Sequence, residues 1–260
     1  MAFEHREVLP GVFHIRDGMG VCMTLLVGEK QALLFDTGYG VEDVHAFVRT
    51  LTDKPLTVIL SHGHHDHAIG ARWFDKTYMF AEDIPDFLTY TGEKQRSIVK
   101  EQAEGKGLQV VQDYLTFAPS VPENLQEGAI DLGGMTAQVI HCPGHTPGSA
   151  VIYVAERQLL LSADDWNPCT WLFFPAALGA QEHRANVRRL MQLPHTHVLC
   201  SHQPMLFERS MMDDFLNGLT DDVLRSAKPV DITPYEAIDT HQAELPHGQI
   251  FVFDWAKAGL

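Results

Sequence analysis

The chain has 260 residues, 45% hydrophobic and 20% charged, a composition that excludes a disordered or fibrous protein and predicts one α/β domain over residues 1–260. Its formal net charge of −15, with only 19 lysines and arginines, argues against nucleic acid as a partner, because phosphate binding relies on clustered basic residues. The chain is charged from Glu4 onward and no long apolar run follows, so we expect neither a secretory signal nor a membrane span, and a cytoplasmic location.

The first half of the chain begins with strand-like segments and a helix. Apolar residues predict strands at 12–16, 23–27 and 32–35. A helix is predicted from Val41 to Leu51, with apolar residues on one face and with Glu42 and Asp43 at its start, where acidic side chains are favoured. The apolar segment from Thr57 to Leu60 predicts the next strand.

Four histidines and an aspartate follow that strand within seven residues, Ser61-His62-Gly63-His64-His65-Asp66-His67. Imidazole and carboxylate groups together suit zinc, iron or manganese. Residues i and i+2 of an extended backbone point the same way, so His62 and His64 can hold one ion, and Asp66 and His67 can reach a second. The alternative is a solvated polar loop in a chain that has 15 histidines.

Three later apolar segments also end in residues that bind metals. These ends are Gly144-His145-Thr146-Pro147-Gly148 after residues 137–140, Ser162-Ala163-Asp164-Asp165 after residues 159–161, and Ser201-His202 after residues 198–200. The carboxyl ends of strands are where α/β folds place their chemistry. Together with the histidine run, they predict a single metal site built from four strand ends.

These landmarks, in this order, resemble the metallo-β-lactamase fold superfamily of metal-dependent hydrolases. An early strand that ends in Asp36-Thr37-Gly38 extends the likeness, which covers about residues 20 to 205. The resemblance implies a four-layer αββα sandwich made of two pseudo-symmetric halves. The metals would lie at one edge, between the two sheets.

The resemblance also implies seven ligands: His62, His64 and His145 for one ion, Asp66, His67 and His202 for the second, and Asp164 as a bridge. The family usually has Gly-Asp at the bridge, whereas this chain has Ala163-Asp164-Asp165, so Asp165 stays an alternative. Asp36 is expected behind the ligands, where it would orient the histidine loop. Its other interpretation is a turn residue before Gly38.

The charge of such a site favours hydrolysis. Two divalent ions contribute about +4, two aspartates about −2 and a bridging hydroxide about −1, which leaves about +1 in the cleft. Bound water then has its pKa lowered to about 7, and the ions can polarise a carbonyl oxygen. We expect two Zn²⁺, with Mn²⁺ or Fe²⁺ as alternatives, a metal-bound hydroxide as the nucleophile, and Asp66 and His202 among the catalytic groups.

The second half of the chain repeats the first in outline. Residues 154–161 match residues 27–34 at a constant offset of 127, which predicts a second hairpin; two hairpins of similar composition are the alternative. Residues from about 82 to 128 are polar and partly helical, and we interpret them as an insertion between the halves. The remaining predicted elements are helices at 182–193 and 208–225 and a closing strand at 249–253.

Four aromatic residues follow the bridging acid: Trp166, Trp171, Phe173 and Phe174. They could line an apolar substrate pocket, and the alternatives are ordinary core or a subunit contact, which would make the chain a homodimer. The substrate would be a small molecule, with neither nucleic acid nor a membrane as a partner.

The sequence leaves three interpretations of the activity. The first is hydrolysis of a small ester, lactone, thioester or amide at a dinuclear zinc site. The second is a mononuclear iron oxidoreductase on the same scaffold, similar to the persulfide dioxygenases, which keep histidine at the position of His64. The third is a metal-binding protein without turnover, against which the full ligand set argues.

Overall fold

Largely apolar strands build two large β-sheets that face each other in the computed structural model, which describes residues 3–260. The strands are β1 (Glu4–Leu9), β2 (Val12–Arg16), β3 (Cys22–Val27), β4 (Ala32–Phe35), β5 (Leu56–Ile59), β6 (Tyr78–Met79), β7 (Glu123–Asn124), β8 (Gly128–Asp131), β9 (Thr136–His141), β10 (Ala150–Val154), β11 (Leu159–Ala163), β12 (Cys169–Leu172), β13 (His197–Cys200), β14 (Phe207–Glu208), β15 (Lys228–Pro229), β16 (Thr240–Glu244) and β17 (Ile250–Asp254). The α-helices are α1 (Val44–Leu51), α2 (His65–Ala68), α3 (Ile84–Tyr90), α4 (Glu93–Gly105), α5 (Ala180–Leu190), α6 (Arg209–Gly218) and α7 (Asp221–Arg225).

The two large sheets have related strand orders. The first sheet runs β1 to β7 in sequence order, antiparallel as far as β4 and parallel from β4 onward. The second sheet has the order β14-β13-β11-β10-β9-β8, with β11 and β13 parallel. A third, smaller sheet that the sequence did not predict has the order β12-β17-β16-β15.

Three apolar layers hold these elements together. The central layer lies between the two large sheets and includes Leu33 of the first sheet and Leu161 of the second. The outer face of the first sheet packs on α1 through Val44 and Val48. The outer face of the second sheet packs on α5, α6 and the third sheet. The observed architecture is therefore the αββα sandwich that the sequence predicted.

The two halves share strand pairing, but the sequence match at offset 127 assigns the wrong faces. Leu33 and Leu160 align at that offset, yet Leu33 lies between the sheets and Leu160 lies in the outer layer. Leu33 instead corresponds to Leu161, and its pairing partner Leu26 corresponds to Ile152, the partner of Leu161. The second hairpin is longer by two residues, so each of its strands is displaced by one residue from the match at offset 127. Because side chains alternate between the two faces of a sheet, a displacement of one residue exchanges the faces.

Three helices differ from their predicted bounds, two of them because of local capping. The first begins at Val44, since the Asp43 carboxylate accepts a hydrogen bond from the Ala46 N–H (2.8 Å) and so caps the helix. The helix predicted at 208–225 is two helices, because Thr220 caps a new one by accepting from the Val223 N–H. The helix predicted at 182–193 spans Ala180–Leu190.

The segment interpreted as an insertion contains α3, α4 and a long irregular stretch before β7. Two buried arginines anchor that stretch: Arg96 donates to the Leu115 carbonyl (2.8 Å), and Arg72 pairs with Asp113 (2.6 Å). The single domain over residues 1–260 and the insertion at about 82–128 stay predictions. Among residues 3–260, no helix is both long enough and apolar enough to cross a membrane.

We expect Leu33→Ala to lower the free energy of unfolding by about 2 to 5 kcal/mol, because it leaves a cavity in the layer between the sheets. Leu88→Ala is the matched control, since Leu88 is 56% exposed and its truncation should change stability by less than about 0.5 kcal/mol. Urea unfolding of both variants measures the difference. Equal effects would show that the central layer does not dominate stability.

Candidate metal centre

The strand directions bring the polar strand ends to one edge of the sandwich. In the second sheet, β9, β11 and β13 run in the same direction, so the residues after each strand emerge together. In the first sheet, β4 and β5 are parallel and end at Asp36 and at the histidine run. The structure thus brings all seven predicted ligands into two neighbouring groups: His62, His64 and His145, and Asp66, His67, Asp164 and His202.

The first group consists of three buried histidines. One nitrogen from each ring of His62, His64 and His145 lies within 4.8 Å of the others. His145 Nε2 lies 3.0 Å from His64 Nδ1. All three side chains are almost fully enclosed, which leaves little room for water around the group.

The second group meets at Asp164. Its Oδ2 lies 3.0 Å from His202 Nε2 and 3.4 Å from His67 Nε2. The same oxygen lies 3.7 Å from His145 Nε2 of the first group, so Asp164 stands between the two groups. Asp66 Oδ2 completes the cluster, 3.4 Å from His67 Nε2. The His202 side chain is 38% exposed, so the centre opens to solvent on this side.

The backbone at Ala163 explains why Asp164 rather than Asp165 faces this cluster. Ala163 has φ of +46°, and the pairing of β11 with β13 shifts register just before it. Asp165 lies behind the site, where its Oδ1 accepts from the His145 backbone N–H (3.3 Å). Left-handed backbone favours glycine, so the glycine usual at this position in the family has a conformational reason.

Asp36 holds the histidine loop from behind. Its carboxylate accepts hydrogen bonds from the Ser61 N–H (2.7 Å), from the Ser61 hydroxyl (2.9 Å) and from His67 Nδ1 (2.9 Å). Asp36 itself adopts a left-handed φ of +69°, which is uncommon for aspartate outside turns. Because Asp36 accepts from Nδ1 of His67, the Nε2 atom of that ring faces the second group.

Two further contacts orient the first group. His145 Nδ1 donates to the Trp171 carbonyl (2.7 Å). The Ser61 hydroxyl donates to Asp36 and therefore accepts from His62 Nδ1 (2.9 Å). These bonds direct Nε2 of His62 and of His145 into the centre, the arrangement usual for histidines that bind metals.

Buried polar atoms without partners test whether a metal fits. Nε2 of His62, Nε2 of His67 and Oδ1 of Asp164 are buried and accept or donate no hydrogen bond. An unpaired buried polar atom is costly, and cations bound at the two groups would satisfy these atoms. Imidazole and carboxylate donors in this arrangement suit zinc, iron or manganese alike, so the residues fit a metal without selecting one.

The two groups differ in protonation. Burial and the neighbouring histidines hold the pKa of His62 and of His64 well below the usual value, so these rings are neutral and ready to bind a cation. Burial also lowers the pKa of His67, but Asp66, Asp164 and Asp36 outweigh it and raise that pKa well above the usual value. The second group therefore holds a proton that a cation must displace.

Asp83, which the sequence analysis did not single out, joins the two ligand loops. It is fully buried, and its Oδ2 accepts from the Gly63 N–H (2.9 Å) and from the Thr146 hydroxyl (2.8 Å). Its Oδ1 accepts from the Gly148 N–H (2.6 Å). An aspartate just before a helix has no distinctive sequence signal, since such residues are common there for capping.

The aromatic stretch after Asp164 divides between core and site. Trp166 and Phe173 are fully buried, as the core interpretation predicted. Phe174 instead packs on His64, with ring centroids 4.5 Å apart, and Trp171 is 39% exposed. Tyr90 also packs on His64 (4.5 Å), a contact that its position in a polar segment did not indicate.

Comparison with known proteins agrees with this architecture. Residues 16–202 match the family described as the metallo-beta-lactamase superfamily. The probable metallo-hydrolase YqgX of Bacillus subtilis is 26% identical over 216 residues, which are 75% of this chain and 92% of that protein. The acyl-coenzyme A thioesterase MBLAC2 of Gallus gallus is 24% identical over 216 residues, 74% of this chain and 76% of that protein.

A solved structure shows the same fold. The inverting sec-alkylsulfatase Pisa1 from Pseudomonas sp. superposes with a TM-score of 0.64 at 15% identity, over 85% of this chain. This chain spans 42% of the sulfatase, so the likeness concerns the fold alone. Because the family match covers most of the chain and the sandwich carries the donor groups at its edge, this chain belongs to the metallo-beta-lactamase superfamily of metal-dependent hydrolases.

Proposed function

We propose that this chain is a dinuclear hydrolase of small carboxylic acid derivatives, with thioesters as the first class to test. The observation that carries the proposal is the sharing of Asp164 between two complete donor groups. A single ion would need only one of these groups. The second group therefore favours two ions over the mononuclear iron alternative.

When bound, two divalent cations would supply Lewis acidity and a water molecule of lowered pKa. His62, His64 and His145 would hold one cation as neutral imidazoles, and the second group would hold the other. Asp36 keeps the His67 ring fixed, so little reorganisation is needed during the reaction. The exposed His202 lies on the open side, with its Nε2 3.6 Å from Asp66 Oδ2, and Asp66 and His202 stay the predicted catalytic residues.

In the reaction, water adds to the carbonyl carbon, the carbon–sulfur bond breaks, and a carboxylic acid and a thiol leave. The relative named as an acyl-coenzyme A thioesterase supports a thioester. The net charge of −15 disfavours large polyanionic leaving groups, so a small thiol is the better candidate. Four further points stay predictions: zinc as the metal, a cytoplasmic location, a homodimer, and a small-molecule substrate with neither nucleic acid nor a membrane as a partner.

We expect about two metal ions per chain in the purified protein and measurable hydrolysis of small thioesters. Asp164→Ala should lower kcat/KM by more than about 100-fold, because it removes a donor shared by both groups rather than an outer partner. Elemental mass spectrometry gives the metal content, and thiol release gives the rate. Asp222→Ala is the control, since the Asp222 side chain is 98% exposed.

Undiminished turnover in Asp164→Ala would contradict the site assignment. About one iron per chain, with oxygen consumption on persulfides and no thioester hydrolysis, would instead identify the mononuclear oxidoreductase. No turnover at all with either class of substrate would leave a metal-binding protein.

We also expect the two ions to bind with different pH dependence. His67 has a raised pKa and must lose a proton, so affinity for the second ion should rise by up to about tenfold per pH unit as the pH increases toward that pKa. His62 and His64 are already neutral, so affinity for the first ion should change little. Zinc titration calorimetry at pH 6 and pH 8 measures both, and equal pH dependence would contradict this asymmetry.

A further inference from the structure

Aromatic rings from three separate segments meet at the edge of the first donor group. Phe174 packs on His64 (ring centroids 4.5 Å apart) and on His145 (5.3 Å). Tyr90, at the end of α3, also packs on His64 (4.5 Å). Tyr235, from the loop before β16, stands perpendicular to Phe174 (5.4 Å), and Trp171 adjoins Phe174 (6.4 Å). We call this group the aromatic wall; its members are Tyr90, Trp171, Phe174 and Tyr235.

The aromatic wall is held in place and partly open to solvent. Tyr235 packs edge-on against both Phe173 (ring centroids 5.5 Å apart) and Phe174 (5.4 Å). Lys257 Nζ donates to the carbonyls of Pro175 (2.7 Å) and Ala177 (3.0 Å), which anchors the loop that follows Phe174. All four members of the wall are half-buried or exposed rather than sealed in the core. Fixed apolar ring faces next to a reaction centre form a ready binding surface, because no ordering of the rings is needed.

We propose that the aromatic wall binds a neutral, apolar acyl group, so that the substrates of this chain are medium-length alkyl or aryl thioesters. This inference rests on the hydrolase function proposed above. A substrate whose carbonyl lies at the donor groups can extend in two directions, along the wall or toward His202. His202 is 38% exposed and Met205 beyond it is 50% exposed, so the departing thiol leaves on that open side. The acyl group then lies on the wall.

A carboxylate next to the wall restricts the charge of the acyl group. Asp86 Oδ2 lies 3.9 Å from His64 Nε2, is buried and has no hydrogen-bond partner. An acyl chain that ends in a carboxylate would meet this negative charge in partly buried surroundings, where repulsion is weakly screened. The wall therefore selects neutral acyl chains over dicarboxylic ones.

The test measures kcat/KM of the metal-loaded protein on N-acetylcysteamine thioesters with acetyl, butanoyl, hexanoyl, phenylacetyl and glutaryl groups. We expect kcat/KM to rise about three- to fourfold for each added methylene up to hexanoyl, the factor for burying one methylene. Glutaryl should fall well below hexanoyl. A flat series, or glutaryl above hexanoyl, would overturn the proposal.

Two variants locate the effect. Phe174→Ala and Tyr235→Ala should both flatten the dependence of kcat/KM on acyl length. Among the ring contacts described, Tyr235 has none with a ligand histidine, so loss of metal does not explain the effect of its variant. Phe117→Ala is the matched control, because Phe117 is 51% exposed and packs on Arg72 instead. Metal content is measured in each variant. An unchanged series in Tyr235→Ala would contradict the assignment.

A binding measurement separates this inference from the proposed function. Carboxylates of increasing length, acetate to hexanoate, are titrated while tryptophan fluorescence is followed, with Trp171→Phe identifying the signal of the wall. Tighter binding of hexanoate without hydrolysis of any thioester would leave the wall correct and the proposed reaction wrong. Hydrolysis with equal binding of all lengths would leave the reaction correct and the wall wrong.

A different observation supports a second inference, that Asp83 is a positioning residue for the first donor group. Its two carboxylate oxygens accept three hydrogen bonds, from Gly63 between two ligand histidines and from Thr146 and Gly148 just after His145. We infer that these bonds set the spacing between the two loops that supply the group. Asparagine at this position has a single acceptor oxygen, and its NH₂ group would face at least one backbone N–H that now donates to Asp83. Asparagine therefore cannot replace all three bonds.

We expect Asp83→Asn to weaken binding of the first zinc ion about 10- to 100-fold, the range for outer partners of metal ligands. Competition with a chelating dye measures this affinity, and Glu82→Gln is the control at the exposed neighbouring acid. A fall in melting temperature of the metal-free protein with unchanged zinc affinity would show a merely structural role and overturn the inference.

Discussion

Packing of the two large sheets against each other is the contact on which the candidate centre depends. Neither sheet alone holds a complete donor set: the first supplies the histidine run after β5, and the second supplies His145, Asp164 and His202. The apolar layer that includes Leu33 and Leu161 keeps the ends of these strands at one edge. Because interiors are close-packed, this layer fixes the distance between the loops more firmly than the loops could by themselves.

Burial then defines the chemistry of the centre. The histidines of the first group are enclosed, and burial lowers their pKa values. In the second group, the neighbouring carboxylates raise the pKa of His67, so that this ring keeps a proton. Asp36 accepts from both Ser61 and His67, so a single carboxylate orients rings in both groups. Such preorganisation has a conformational cost, visible in the left-handed backbone of Asp36 and Ala163.

The surroundings of the centre are asymmetric. The first group lies under Phe174 and Tyr90, whereas the second group opens to solvent at His202. An apolar side and an open side give a bound substrate a direction, which a symmetric cleft would not. The members of the wall come from α3, from β12 and its following loop, and from the loop before β16, so the third sheet takes part in forming the site.

The sequence by itself determined the ligand types and most strand ends, because both are local properties: apolar runs predict strands, and the spacing of His62, His64, Asp66 and His67 lies within one loop. Tertiary structure decided the rest. The choice of Asp164 over Asp165 depends on the backbone turn at Ala163. The faces of the second hairpin depend on its being two residues longer than the first, which shows only in the strand pairing. Asp83 and Tyr90 reach the centre from distant segments, and Tyr235 reaches Phe174 beside it. Such contacts depend on how sheets and loops pack, which a local pattern cannot specify.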